Sequence, residues 1–344
     1  MQHRTVTFTR GARITGTVLC AALAILVGVW IARDLTTVDD PLDLWRFWTG
    51  NAGGVSASAP MTTTLEDLVL LAVYLTVAVA ALRSPVAAAA LVATGVVTLA
   101  VRLPGLWVLS SSWMGQRATD ELRTKALYCA FAALGLGLGL IITAAAGRRA
   151  PAPYDPYTVH GPLAAHERTP TRPTQGVSVL AFLLLGTAAA VLAAWEIYTA
   201  REIGGSRSLD RFTGDDTVLM PLLGTPPGWL TAVTVTLALV AAIGALFHAV
   251  HSRPLGLVAG ALVLGTGGRG VDIAVRNDLF TRLGDLPTRD QLLVLSWLFE
   301  VAAGLTLLVA LGRRGEGNGV TGARRAAPTE VFGPPPPSSP PPGW

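Results

Sequence analysis

Eight apolar segments recur along the 344 residues of this chain, and the segments between them hold most of its charged residues. An α-helix rises about 1.5 Å per residue, so about 20 apolar residues cross a hydrocarbon core that is about 30 Å thick. Charged residues make up only 14% of the sequence, whereas a soluble domain carries about 25%. This pattern predicts an all-α fold: a polytopic membrane protein with about eight transmembrane helices.

The predicted spans divide the chain into two membrane domains, residues 1–149 and 176–314, with four spans in each. Residues 150–175 form a proline-rich linker, and a backbone with so many prolines stays extended and solvated. Residues 315–344 end in a proline–serine run, whose composition predicts a disordered tail. The predicted spans are 14–32, 68–82, 86–109, 126–146, 177–198, 229–250, 255–275 and 291–311.

The two membrane domains have the same order of spans, loops and turn motifs, which predicts an internal repeat. Each domain runs through a span, a long acidic loop, a span, a short Arg/Pro turn, a span, a medium loop and a span that ends in Gly-Arg-Arg. An even number of spans makes the two four-helix repeats parallel, related by an axis along the membrane normal. The matched landmarks are Trp30 with Trp195, Arg83-Ser84-Pro85 with Ser252-Arg253-Pro254, and Ala100-Val101-Arg102 with Ala274-Val275-Arg276.

Basic residues at three places predict that both termini, the linker and the tail are cytoplasmic. Arg4, Arg10 and Arg13 precede the first span, and an Arg-Arg pair follows the fourth and the eighth spans. Cytoplasmic segments of membrane proteins carry an excess of such residues. The first apolar run is longer than the core of a signal peptide, about 7–15 residues, which favours a signal anchor. The use of arginine, alanine, glycine and proline is typical of GC-rich genomes and favours a bacterial plasma membrane.

Three ionisable residues within the last two spans form the candidate site. Arg269 and Asp272 lie three residues apart in the seventh span and therefore share a helical face, and Glu300 lies in the eighth. Counting about 1.5 Å per residue puts Arg269 and Glu300 at similar depth in the outer half of the bilayer. We therefore predict an Arg269–Glu300 interaction with Asp272 as a second carboxylate. It is either a functional site or a structural ion pair between two helices.

Glycines on both sides of Arg269 allow two further interpretations. Gly265, Gly267 and Gly270 match the dinucleotide-binding motif G-x-G-x-x-G. That motif needs a preceding strand, whereas these glycines lie within a predicted span. Either the helix breaks here and its backbone lines a site, or the glycines allow close helix packing. The pair Gly256 and Gly260 on the same helix favours close packing. The glycines concerned are Gly265, Gly267, Gly268 and Gly270.

These features favour a small-solute or ion transporter, with the lipid bilayer as its main partner. The alternative is a non-catalytic membrane sensor or assembly protein that uses its outer loops and binds a proline-recognising protein through its C-terminal tail. The sequence holds none of the serine-hydrolase, zinc-protease or P-loop motifs, so it predicts no catalytic residue, and an enzyme is the least favoured class. It also predicts no cofactor, no metal site and no nucleic-acid partner, and it does not identify the solute.

Overall fold

The protein is described by a computed structural model, which covers residues 7–51, 53, 60–84, 86–149, 174–218 and 220–313. Most of the predicted linker and the whole predicted tail lie outside the described residues. In chain order the elements are β1 (Thr7–Phe8), α1 (Arg10–Leu35), α2 (Pro41–Trp48), α3 (Leu65–Arg83), α4 (Ala87–Arg102), α5 (Gly105–Ser110), a 3₁₀ turn (Ser112–Gln116), α6 (Asp120–Ala146), β2 (Arg148–Arg149), α7 (Gln175–Ile203), α8 (Gly205–Thr213), α9 (Pro227–Leu246), α10 (Ser252–Arg276), a 3₁₀ turn (Leu283–Asp285) and α11 (Thr288–Gly312).

Within the described residues, eight helical segments are long and apolar enough to cross a membrane, which confirms the all-α membrane class. Seven of them are the single helices α1, α3, α6, α7, α9, α10 and α11, and the eighth consists of α4 followed by α5. The third span changes from α4 to α5 beside Pro104, which has no N–H to donate to the preceding turn. The other seven are single helices of 19 to 29 residues.

Large apolar side chains remain exposed along the spanning helices. On α1, for example, Val18, Ile25 and Val29 are 59%, 67% and 61% exposed, and similar residues lie on the other spans. Soluble monomers rarely expose contiguous apolar patches larger than a few hundred Å². Lipid tails are as apolar as leucine, so the same surface carries no such cost in a bilayer. These exposed apolar faces are compatible with contact to a lipid bilayer.

The helices of the two halves pack in the same cyclic order. In the first half α1 and α4 each pack on α3 and α6, and in the second half α7 and α10 each pack on α9 and α11. A Cβ at Gly95 of α4 would lie 2.6 Å from the carbonyl oxygen of Gly137 on α6. A Cβ at Gly304 of α11 would likewise lie 2.9 Å from the carbonyl oxygen of Gly260 on α10. The duplication itself remains a prediction, but a repeat would produce this matching order.

The two halves form one bundle. Helix α10 contacts both α3 and α4, α9 contacts α4, and buried apolar residues from both halves belong to one cluster. We call the end of the bundle that carries α2 and α8 the loop end. There the main chain also joins the halves, because the amide of Leu223 donates to the carbonyl of Thr62 at 2.9 Å. A site at the loop end can therefore be built from both halves.

Arginines cap helix C-termini at the opposite end, which we call the terminal end. Arg13 of α1 donates to the carbonyls of Ala81 at 3.1 Å and Ser84 at 2.8 Å, where α3 ends. Arg253 of α10 donates to the carbonyl of Leu311 at 2.6 Å, where α11 ends. The last carbonyls of a helix lack intrahelical partners and favour a nearby cation. Beside Arg13, β1 pairs antiparallel with β2 and fastens the start of α1 to the end of α6.

Candidate functional site

A cavity of about 740 Å³ lies between the two halves at the loop end. Its walls come from α2, the segment before α3, the start of α3, the turn after α5, α7, α8, the segment before α9, α9 and α10. Gly50 and Gln116 on its rim are exposed, so the cavity is accessible from the loop end. Small-molecule sites in proteins usually measure about 300–1,000 Å³. The polar lining residues are Thr49, Thr63, Thr64, Glu66, Gln116, Arg117, Arg211, Thr225, Thr231, Thr234, Thr266 and Arg269.

The cavity ends about half-way through the bundle. Thr266 lines its deep part and stands ten residues before the end of α10, at Arg276. At about 1.5 Å per residue, that position lies about 15 Å from the helix end. One turn deeper, Ala188 of α7, Ala238 of α9 and Val263 of α10 are all fully buried. This apolar layer closes the cavity toward the terminal end.

An ion pair between the halves lies on the cavity wall. The Nη2 of Arg269 on α10 donates to Oε1 of Glu66 on α3 at 2.5 Å, and the two side chains are 36% and 14% exposed. Glu66 stands in the first turn of α3, where the helix dipole favours a carboxylate. The next residue, Asp67, fixes that turn by accepting the backbone amide of Thr64 at 2.8 Å and a guanidinium N–H of Arg102.

Arg211 provides a second guanidinium on the cavity wall. It belongs to α8 and donates from Nη2 to both carboxylate oxygens of Glu196 on α7, at 3.3 and 3.4 Å. The Nε atoms of Arg211 and Arg269 are both buried, and neither has a hydrogen-bond partner among the described residues. Each guanidinium therefore contacts a carboxylate through Nη2 and keeps an Nε–H donor that no described group accepts.

Asp272 and Arg276 attach α2 to the end of α10, so that α2 forms part of the cavity wall. Asp272 accepts the indole N–H of Trp45 at 3.1 Å, and its other oxygen lies 2.7 Å from Nη2 of Arg276. The same Nη2 donates to the carbonyl of Thr49 at 2.9 Å. Asp272 thus holds a wall of the cavity in place, and it is not itself a lining residue.

Glu300 lies inside the α10–α11 interface, away from Arg269. Its side chain is 2% exposed, and its Oε2 has no hydrogen-bond partner among the described residues. A Cβ at Gly267 would lie 2.7 Å from the Cβ of Glu300, so the Gly267 face of α10 packs on Glu300. Arg269 follows two residues later, about 200° around the helix, and faces α3. The structure therefore replaces the predicted Arg269–Glu300 interaction with Arg269–Glu66, because depth alone did not fix the rotation of α10.

The glycine string stands within an unbroken helix. All four of its glycines, Gly265, Gly267, Gly268 and Gly270, belong to α10, so the structure does not support a break there. A Cβ at Gly267 would lie 2.8 Å from the carbonyl oxygen of Trp297, and one at Gly270 would overlap the indole ring of the same residue. A Cβ at Gly265 would also meet a neighbour, on α3, whereas one at Gly268 would meet nothing within 4 Å. Close packing therefore explains three of the four positions.

We expect Gly267→Val to destabilise the protein by about 1–3 kcal/mol and Gly268→Val to change the stability by less than about 0.5 kcal/mol. Both variants place the same β-branched side chain in the same helix. Only at Gly267 must the backbone of α11 move to admit it. Thermal unfolding of the two purified variants in detergent measures the difference. Equal losses for both variants would contradict the close-packing interpretation.

Sequence reasoning did not single out Glu66 or Arg211. A signal for Glu66 was present, since Thr64-Leu65-Glu66-Asp67 precedes an apolar run and matches the capping pattern [ST]-x-x-[DE]. That pattern places Glu66 in the first turn of a span, at the mouth of the bundle. Arg211 carries no comparable signal, because its position depends on how α8 folds back on α7.

No known protein family, curated protein or solved structure matches this chain. Among the residues that the structure describes, no three side chains of His, Cys, Asp or Glu stand close enough to hold a metal ion together. The fold and the cavity define the chain as a multi-pass α-helical membrane protein with a solvent-accessible cavity between its two halves.

Proposed function

We propose that this protein is a transporter that takes up a small solute or ion in the cavity at the loop end. The observation that carries the proposal is the cavity: it measures about 740 Å³, both halves line it, and a fully buried apolar layer closes it toward the terminal end. In transporters built from repeats, the solute site lies between the repeats near the bilayer midplane. A cavity that reaches half-way and stops at an apolar layer has the form expected for one state of an alternating-access cycle.

The proposed orientation places the loop end outside the cell. It rests on the basic residues near both termini, including Arg10 and Arg13 at the start of α1 and Arg313 after α11. In that orientation the cavity faces the exterior, and the solute enters from there. The same orientation puts the buried apolar layer at Ala188, Ala238 and Val263 on the cytoplasmic side of the cavity.

A cysteine-labelling experiment tests the proposal without knowledge of the solute. Thr266→Cys is placed in a background in which Cys20 and Cys129 are replaced by alanine, and it is exposed to a membrane-impermeant maleimide. Right-side-out vesicles should be labelled through the open cavity. Inside-out vesicles should also be labelled, more slowly, because a transporter must open its site to the other side. Val309→Cys is the control, because Val309 is 58% exposed on the lipid-facing surface and should react from neither side.

Labelling of Thr266→Cys from the loop end alone would contradict the transport proposal. A membrane sensor or an assembly protein can keep its cavity open to one side only, so that result would favour the alternative function. Labelling from neither side, in a protein that elutes as a folded species, would contradict the accessibility of the cavity itself. The experiment thus measures the accessibility of Thr266→Cys from each side of the membrane separately.

A further inference from the structure

We propose that the solute is an organic anion whose acid group binds Arg269 and Arg211, an inference that rests on the proposed function of the cavity. The charged residues of the cavity wall are three arginines, Arg117, Arg211 and Arg269, and one glutamate, Glu66. Three cations against one carboxylate leave the wall with a net positive charge, and a cleft with net charge of one sign concentrates ligands of the opposite sign. The wall charge of this cavity therefore favours an anion over a cation.

The hydrogen-bond donors of two arginines supply the recognition of the acid group. A guanidinium carries five N–H donors in a planar fork, and it binds carboxylate, sulfonate or phosphate oxygens through pairs of them. Arg269 contacts Glu66 through Nη2, and its side chain is 36% exposed. Arg211 contacts Glu196 in the same way, and its side chain is 31% exposed. The exposed part of each guanidinium can therefore donate to the oxygens of an acid group in the cavity.

Arg117 contributes charge to the wall, and both of its Nη atoms already donate to main-chain carbonyls. Its guanidinium donates to the carbonyl of Val218 at 3.0 Å and to the carbonyl of Asp216. It also lies over the ring of Trp113, with 5.2 Å between the guanidinium carbon and the ring centroid. Arg117 therefore holds the segment before α9 in place and adds to the positive potential, while Arg211 and Arg269 contact the ligand.

The remainder of the wall fits an apolar body attached to the acid group. Trp48, Met61, Leu192, Leu222 and Leu230 line the cavity together with several threonine hydroxyls. A bare inorganic anion would fill only a small part of about 740 Å³ and would leave this apolar surface wet. An organic acid with an aromatic or aliphatic body covers that surface and places its acid group at the arginines.

Three probes of nearly equal shape test the charge preference: phenylacetate, the neutral phenylacetamide and the cationic phenethylammonium. Each is added to the purified full-length protein in detergent, and the thermal unfolding midpoint is followed as a function of concentration. A ligand that binds only the folded state raises the midpoint by an amount that increases with the logarithm of its concentration above Kd. We expect phenylacetate to raise the midpoint in a concentration-dependent manner and the other two probes to have no such effect.

Variants then assign the effect to the two arginines. Arg269→Gln should weaken the apparent affinity for phenylacetate by about tenfold or more, the effect of losing one charge-assisted contact. Because it leaves Glu66 without its cation, it should also increase the response to phenethylammonium. Arg211→Gln repeats the test on a side chain that is 31% exposed, so that its loss has little effect on folding. Arg282→Gln, an exposed arginine outside the cavity, is the matched control and should keep the full response.

The outcomes separate the nature of the solute from the function of the protein. An equal response to phenylacetamide, or a response to phenethylammonium alone, would overturn the anion inference and leave the transporter proposal standing. An absent response to phenylacetate up to its solubility limit would also overturn the inference. Labelling of Thr266→Cys from one side only would overturn the transporter proposal, whichever probe binds.

Discussion

Replacing Arg102 with alanine is expected to destabilise the folded protein by about 3–5 kcal/mol, because it leaves a buried carboxylate without its cation. The side chains of Arg102 on α4 and Asp67 on α3 are 7% and 2% exposed, and they form an ion pair. Arg102 also donates to the carbonyl of Leu223 at 3.3 Å in the segment before α9. Its loss therefore affects both halves of the bundle. The thermal unfolding midpoint in detergent, combined with the yield of folded protein, measures the effect.

A thermodynamic cycle distinguishes the ion pair from simple loss of packing. Asp67→Ala alone should be about as damaging, because it leaves the guanidinium unpaired and removes the cap on Thr64. The double variant should lose less than the sum of the two single losses, since neither buried charge remains. Arg46→Ala provides the control: Arg46 pairs with Asp43 within α2, its side chain is 48% exposed, and pairs at the surface contribute about 0–1 kcal/mol. Additive losses in the double variant would contradict the ion-pair interpretation.

The spans were predictable from sequence because hydropathy along the chain is a one-dimensional signal. A membrane-spanning helix satisfies its own backbone, so its position depends on the composition of a single segment and on nothing distant. Close packing at glycine could be predicted for the same reason. Gly137 and Gly260 stand in apolar spans, where small residues mark helix contacts, and each lies at a helix crossing.

The candidate site could not be assembled from sequence, since it depends on the rotation of each helix about its axis. Arg269 and Glu300 lie at similar depth, yet they face different helices. Which side chains contact each other within a bundle also depends on the three-dimensional packing of the helices. The contact between Arg269 and Glu66 joins residues 203 positions apart, and the sequence contains no periodic signal that relates them. Short helices outside the spans, such as α2 and α8, lack the long apolar run that reveals a span.

Asp34→Asn is expected to destabilise the protein by about 2–4 kcal/mol, from the loss of several hydrogen bonds to a charged group. Asp34 is fully buried in the last turn of α1, where the helix dipole disfavours a carboxylate. It accepts the backbone amides of Thr62 at 3.0 Å and Thr63 at 2.7 Å, and it also accepts both of their hydroxyls. An amide at this position turns one acceptor into a donor that faces other donors. Asp39→Asn, in the exposed segment that follows α1, should have little effect on the unfolding midpoint.

The position of Asp34 makes this substitution a test of the cavity as well as of stability. Its hydrogen bonds hold the segment before α3, and Met61 and Thr63 of that segment line the cavity. In the cysteine-free background, Met61→Cys should react slowly with an impermeant maleimide, because Met61 is only 5% exposed. Adding Asp34→Asn should increase that rate several-fold, and adding Asp39→Asn should leave it unchanged. An unchanged rate in both cases, together with a lower unfolding midpoint for Asp34→Asn, would mean that Asp34 stabilises the bundle without shaping the cavity wall.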